Sequence, residues 1–131
     1  MEVLIADDSK MVRYMTIEIL NALGYSTIHE ASNVPEAKRL LQSKGIDLVI
    51  SDFHMPLETG LDLLKWIRAT PPHSNIPFIL LTTDGEKKNI VAAVQAGVQA
   101  YLLKPIQKQA MFQKLTELSK KHGFQEPKPL Y

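Results

Sequence analysis

Two hydrophobic periods alternate along this chain, and that alternation constrains its fold more than any other feature. Short apolar runs, many of them β-branched, occupy residues 3–6, 48–51, 78–81 and 100–103, with a weaker run at 26–29. Runs of this length read as strands, whereas apolar residues three or four apart read as helices. Met11, Met15, Ile19 and Leu23 form one helical face, and Gly24 supplies its C-terminal stop. Asn33-Val34-Pro35-Glu36 has the form of a capping box opening a second helix, which carries Leu40 and Leu41 inward and stops at Gly45. Leu61, Leu64 and Ile67 mark a third helix, ended by Pro71-Pro72. Ile90, Val91 and Val94 mark a fourth, ended at Gly97, and Met111, Phe112, Leu115 and Leu118 mark a fifth that runs out near Gly123. The methionines at helical spacing are assigned to the core.

The result is a βα unit repeated five times. Strands that are apolar on both faces, separated by single helices, predict an α/β fold with a parallel sheet covered on both sides. A length of 131 residues suits one hydrophobic core. The expected organisation is a domain over residues 1–123 and a proline-containing tail or truncated linker over 124–131, for which disorder is the simplest expectation. Fifteen basic against fourteen acidic residues leave a formal charge of +1, giving no reason to expect nucleic acid or an anionic membrane as partner. The absence of cysteine rules out disulfides, thiolate metal sites and thiol catalysis. No apolar run approaches the ~20 residues needed to cross a bilayer. Met1-Glu2 leads straight into the first apolar run, without the basic segment and apolar core of a signal peptide. These features predict a cytoplasmic protein.

Four of the five runs end in a residue with chemistry. The first is followed by Asp7-Asp8, the third by Asp52, the fourth by Thr82 and the fifth by Lys104. Parallel strands point the same way, so these groups gather at the carboxyl edge of the sheet, where open α/β sheets bind ligands. Carboxylates crowded at a strand end repel one another, and burial worsens this. Lys104 offsets one charge, and a divalent cation with oxygen ligands, magnesium above all, suits the remainder. Asp8 alone could instead cap a helix starting near Ser9. A carboxylate can also act as a nucleophile and carry a phosphoryl group. Asp52, following an apolar strand that fixes its position, is the best candidate. Asp7 and Asp8 suit the metal, and Lys104 and Thr82 suit the phosphoryl oxygens.

The acidic pair Asp7-Asp8, the segment Asp52-Phe53-His54-Met55-Pro56 with Gly60, then Thr82-Thr83, and finally Lys104-Pro105 resemble, in order, the receiver domain of two-component response regulators. The stretch from Glu86 to Gly97 is further similar to single-domain chemotaxis regulators. The resemblance implies a (βα)5 flavodoxin-like, doubly wound sandwich with strand order 2-1-3-4-5. It implies transfer of a phosphoryl group onto Asp52 from the phosphohistidine of a sensor histidine kinase or phosphotransfer domain. It assigns magnesium to Asp8, Asp52 and the backbone carbonyl of His54, with Asp7 orienting the site, and the phosphoryl oxygens to Thr82 and Lys104. A cis Lys104-Pro105 bond is implied as well. Tyr101 matches the family's rotating aromatic residue, expected to swing inward as Thr82 moves and so reshape the surface of the fourth helix, fifth strand and fifth helix for a protein target, with the flagellar motor switch among the candidates. The unphosphorylated chain is expected to be a monomer. His54 and Asp84 depart from the commonest residues at positions that tune dephosphorylation, so the resemblance does not carry the lifetime of the signal.

Rival readings meet specific obstacles in the residues. An aspartyl-phosphate phosphatase usually has a second carboxylate two residues after the nucleophile, where this chain has His54. A flavin phosphate would be repelled by Asp7-Asp8. A pseudo-receiver typically lacks an acid or the lysine, and here all are present. The expectation is therefore a protein-binding switch rather than an enzyme with turnover. The alternative is a receiver cut from a longer response regulator or hybrid kinase. His29, His73 and His122, without metal-ligand spacing, are assigned ordinary polar roles.

Overall fold

The computed structural model describes residues 1–83 and 87–130. Its elements alternate as β1 (Glu2–Ala6), α1 (Lys10–Ala22), β2 (Thr27–Ala31), α2 (Val34–Ser43), β3 (Leu48–Asp52), α3 (Gly60–Arg68), β4 (Phe78–Thr82), α4 (Lys87–Gln95), β5 (Ala100–Leu103) and α5 (Lys108–His122). The strands form one parallel sheet in the order β2-β1-β3-β4-β5, the predicted topology.

Alternate residues of the central strands enter two separate cores, because successive side chains of a strand point to opposite faces. Leu4, Val49, Phe78 and Leu80 pack with Leu41, Leu64, Ile67 and Ala93 beneath α2, α3 and α4. Val3, Ile5, Leu48, Ile50, Ile79 and Leu81 pack with Leu20, Leu23, Met111 and Leu115 beneath α1 and α5. The apolar runs of β1, β3 and β4 are therefore buried on both faces, as expected.

Three apolar assignments from the sequence are corrected. In α1, Met11 is 67% and Met15 48% exposed, while Thr16, Leu20 and Leu23 are buried. A stripe spaced by four drifts about 40° per step around a helix of 3.6 residues per turn, so the first two methionines rotate away from the sheet. Thr16 tolerates burial because its hydroxyl donates to the Val12 carbonyl at 2.8 Å. In α4, Val91 and Val94 are exposed and Ala93 is the buried contact. In β5, Tyr101 and Leu103 are exposed while Ala100 and Leu102 are buried, as befits an edge strand covered on one face.

Helix starts follow local chemistry. Asn33 caps α2 by accepting from the Glu36 amide at 2.8 Å, but the Glu36 carboxylate turns to the Ser32 hydroxyl and amide, so the box closes one residue early. A complete capping box, not anticipated, opens α3: Thr59 Oγ1 accepts from the Asp62 amide and Asp62 accepts from the Thr59 amide. The tail also departs from expectation. Residues 124–130 lack regular structure but are fixed against the body, with Pro127 buried and Phe124 and Leu130 packed on the second core. No helix among the described residues is long and apolar enough to cross a membrane.

Candidate functional site

Sheet register brings the chemistry together. Ala6 pairs with Ser51, so the residues that follow them, Asp7 and Asp52, come level at the carboxyl edge. The ladder continues one residue past three strand ends: the amide of Asp7 donates to Ala31 (3.0 Å), that of Phe53 to Leu81 (2.9 Å) and that of Lys104 to Thr82 (2.8 Å). These bonds orient the backbone on which Asp7, Asp52 and Lys104 stand. Gly60, the first residue of α3, lets that helix press onto the end of β3. Its amide donates to the Phe53 carbonyl at 2.8 Å, and a Cβ on it would lie 2.2 Å from the Asp52 carbonyl oxygen.

Lys104 Nζ sits 2.9 Å from Asp52 Oδ1 and 3.2 Å from Asp7 Oδ2, bridging the two acids. Asp7, Asp8 and Asp52 each place a carboxylate oxygen within 4.8 Å of the others. Asp7 and Asp52 are buried and Asp8 is exposed at the rim. The alternative that Asp8 caps α1 does not hold. Ser9 is the cap, accepting from the Val12 amide at 3.2 Å, and its own amide donates to Asp7 Oδ1 at 2.9 Å.

Charge balance at this edge is incomplete among the described residues. Burial raises the pKa of Asp52; the hydrogen bond from Lys104 works against this, and the negative charge of Asp7 adds to it. Burial by itself would lower the Lys104 pKa, but its hydrogen bonds to and the charges of Asp52 and Asp7 outweigh that, and the ammonium is held above its ordinary value. Among the described residues, one ammonium is paired with the cluster of three carboxylates, so the cluster has room for a further positive charge. The donors are all hard carboxylate oxygens, buried on one side and open on the other at Asp8, which fits a small divalent cation that retains part of its water shell.

The other predicted residues arrive at or near this edge in different ways. Thr82 is buried at the end of β4, and its hydroxyl lies 3.3 Å from the Thr83 carbonyl as donor. The Lys104-Pro105 bond is cis. His54 is exposed just past Asp52; its amide hydrogen-bonds to the Asp52 carboxylate, and its ring meets Phe53 edge-on at 5.0 Å. Tyr101 is 40% exposed, its ring on the outer face of β5. Asp84 and Glu86 lie outside the described residues. His29 pairs with Glu2 at 2.7 Å and His73 stacks on Trp66, both away from the acids.

Arg13 belongs to the support of the site and was not anticipated. Its Nη1 donates to the Asp7 carbonyl at 2.7 Å and its Nε to Glu30 at 3.0 Å, tying α1 to the ends of β1 and β2. A single arginine on the half-exposed face of an amphipathic helix carries no sequence signal for that role.

A buried carboxylate held beside an ammonium, with two further acids alongside, can take an electrophile at one oxygen while the lysine offsets the arriving charge. Comparisons with known proteins identify the family. The family model for the response regulator receiver domain matches residues 3–116. A chemotaxis protein CheY homolog of Campylobacter jejuni is 34% identical over 119 residues, covering 90% of this chain and 92% of that protein. Among solved structures, chemotaxis protein CheY4 of Vibrio cholerae is 28% identical with a TM-score of 0.82, covering 88% of this chain and 96% of that one. The signal receiver domain of a signal transduction histidine kinase from Syntrophus aciditrophicus is 30% identical with a TM-score of 0.84, covering 95% and 94%. The match over residues 3–116, the shared fold and these relatives show that the chain belongs to the response regulator receiver domain family, as a CheY-like member.

Proposed function

We propose that this receiver accepts a phosphoryl group on Asp52 from the phosphohistidine of a sensor kinase or phosphotransfer domain. The observation that supports this most directly is Lys104 Nζ lying between Asp52 and Asp7, at 2.9 and 3.2 Å, in a cluster that Asp8 completes. In the transfer, the nitrogen–phosphorus bond breaks and its electron pair stays on the imidazole. A carboxylate oxygen of Asp52 forms the new bond to phosphorus. Lys104 then holds a phosphoryl oxygen by charge, and Thr82 turns its hydroxyl from the Thr83 carbonyl to donate a hydrogen bond to another. Asp8, Asp52 and the His54 carbonyl would hold magnesium, with Asp7 orienting the site; the ion supplies positive charge that offsets the acids and the phosphoryl oxygens. The chain acts as a switch rather than as an enzyme with turnover.

The output surface is read as α4, β5 and α5. Val91, Val94, Tyr101 and Leu103 are exposed apolar residues on α4 and β5, and inward rotation of Tyr101 would reshape that face. Because the relatives named above include chemotaxis proteins, a chemotaxis target such as the flagellar motor switch is the favoured partner.

The test is a nitrogen-15 NMR titration with beryllofluoride and magnesium. Shifts of the Thr82 and Tyr101 amides are expected in the native chain and are expected to vanish in Asp52→Asn. An equal response in both would remove Asp52 from the acceptor role.

A further inference from the structure

We infer that residues 124–130 form a strap tying the end of α1 to α5, and that its docking opposes occupation of the Asp52 site. The inference rests on the proposed phosphoacceptor reading. Three long-range hydrogen bonds anchor the strap at the α1 end. The Lys128 amide donates to the Leu23 carbonyl (2.8 Å), Gln125 Nε2 to the Gly24 carbonyl (2.9 Å) and the Tyr25 hydroxyl to the Gln125 carbonyl (2.8 Å). Gly24, at φ +97°, has the stem of Lys128 laid across it, and a Cβ there would lie 2.9 Å from Lys128 Cγ. Pro127 is buried, and Phe124 and Leu130 pack onto the core shared by α1 and α5.

The far end of the strap reaches the half of α5 nearest the site. Leu130 lines a shallow groove with Gln109, Phe112, Gln113, Thr116 and Glu117. Gln109 and Phe112 lie in the first turns of α5, which begins four residues after Lys104. Between Lys104 and α5 run only Pro105, Ile106 and Gln107. A backbone shift that carries the Lys104 ammonium from its two carboxylates towards a phosphoryl oxygen therefore moves the turns that share this groove with Leu130. The strap is docked in the arrangement where Lys104 still spans Asp52 and Asp7. Its contacts weight that arrangement, and any ligand that draws Lys104 away must work against them. Such coupling is reciprocal: what loosens the strap favours occupancy, and occupancy loosens the strap.

Three chains, the native one, one truncated after Gly123 and Leu130→Ala, are titrated with beryllofluoride at fixed magnesium while the Thr82 and Tyr101 amides are followed by NMR. Hydrogen exchange of the Lys128 amide is measured in the two full-length chains. The half-saturating concentration is expected to fall about fivefold on truncation and by less in Leu130→Ala. Beryllofluoride is expected to speed exchange at Lys128. Equal midpoints in all three chains, or a rise on truncation, would overturn the coupling. If the truncated chain fails to fold, Leu130→Ala decides between the same two outcomes. No response at Thr82 and Tyr101 in any chain defeats the phosphoacceptor reading itself and the coupling with it, whereas a response with unchanged midpoints defeats the coupling alone.

Discussion

Tyr25 shows how much one buried polar atom can couple. Its ring is sealed in the core and its hydroxyl reaches the Gln125 carbonyl at 2.8 Å, a hundred residues along the chain. Burial foremost, with the Glu126 charge added, holds the phenol well above its ordinary pKa. In the unfolded chain it ionises near pH 10. Because the folded value is the higher one, the stability associated with this group is present below about pH 10 and is lost as pH rises beyond it. Urea midpoints measured from pH 9 to 11 should therefore fall less steeply for Tyr25→Phe than for the native chain. Parallel slopes would mean the phenol ionises freely in the fold. This partnership was not legible in the sequence, since nothing local links residues 25 and 125. The same holds for Arg13 against the Asp7 carbonyl, and for Leu57, which is fully exposed with φ at +71° in the loop after β3. Asp52 and Lys104 were legible because each directly follows an apolar strand, and parallel strands end on one edge.

Two contacts made by α3 hold elements together, one beside the site and one at the far edge of the sheet. The first turn of α3 lies so close to β3 that only a glycine fits at residue 60, where a Cβ would sit 2.2 Å from the Asp52 carbonyl oxygen. That neighbour is backbone and cannot swing aside. Gly60→Ala should cost roughly 3 kcal/mol or more in chemical denaturation, and it should shift the Asp52 amide resonance in whatever fraction stays folded. A loss below about 0.5 kcal/mol would show that the helix can slide. At the opposite end of α3, Arg68 staples three segments. Its guanidinium donates to the carbonyls of Gly97, Ser74 and Ile76 and to Gln99 Oε1, which in turn accepts from the Phe78 amide. Burial lowers its pKa, with carbonyl oxygens as its partners. Arg68→Met strands several of those acceptors and should cost about 2–4 kcal/mol, read from the urea midpoint. The capping boxes illustrate the limits of local signals. Asn33 and Glu36 were visible but close imperfectly, because Glu36 prefers Ser32, while the complete box at Thr59 and Asp62 was not anticipated.

For the whole molecule, the uncompensated acids at the sheet edge set a thermodynamic expectation. A cation that binds only the folded state stabilises it by RT ln(1 + [L]/Kd), about 1.4 kcal/mol at ten times Kd. Thermal melts across a magnesium series should therefore rise for the native chain and flatten for Asp8→Asn, a change at an exposed residue that leaves the core intact. Equal rises in both would move the cation elsewhere. The residues alone determined the repeat of five βα units, its parallel sheet and the gathering of Asp7, Asp8, Asp52 and Lys104 at one edge, because each follows from a period or a strand end that a few neighbouring residues define. Tertiary structure decided which faces those elements turn inward, leaving Met11, Val91 and Tyr101 exposed, and it decided that the tail lies bound along α1 and α5. Those outcomes depend on the drift of a helical stripe against a twisted sheet and on hydrogen bonds between residues a hundred positions apart, which no local pattern encodes.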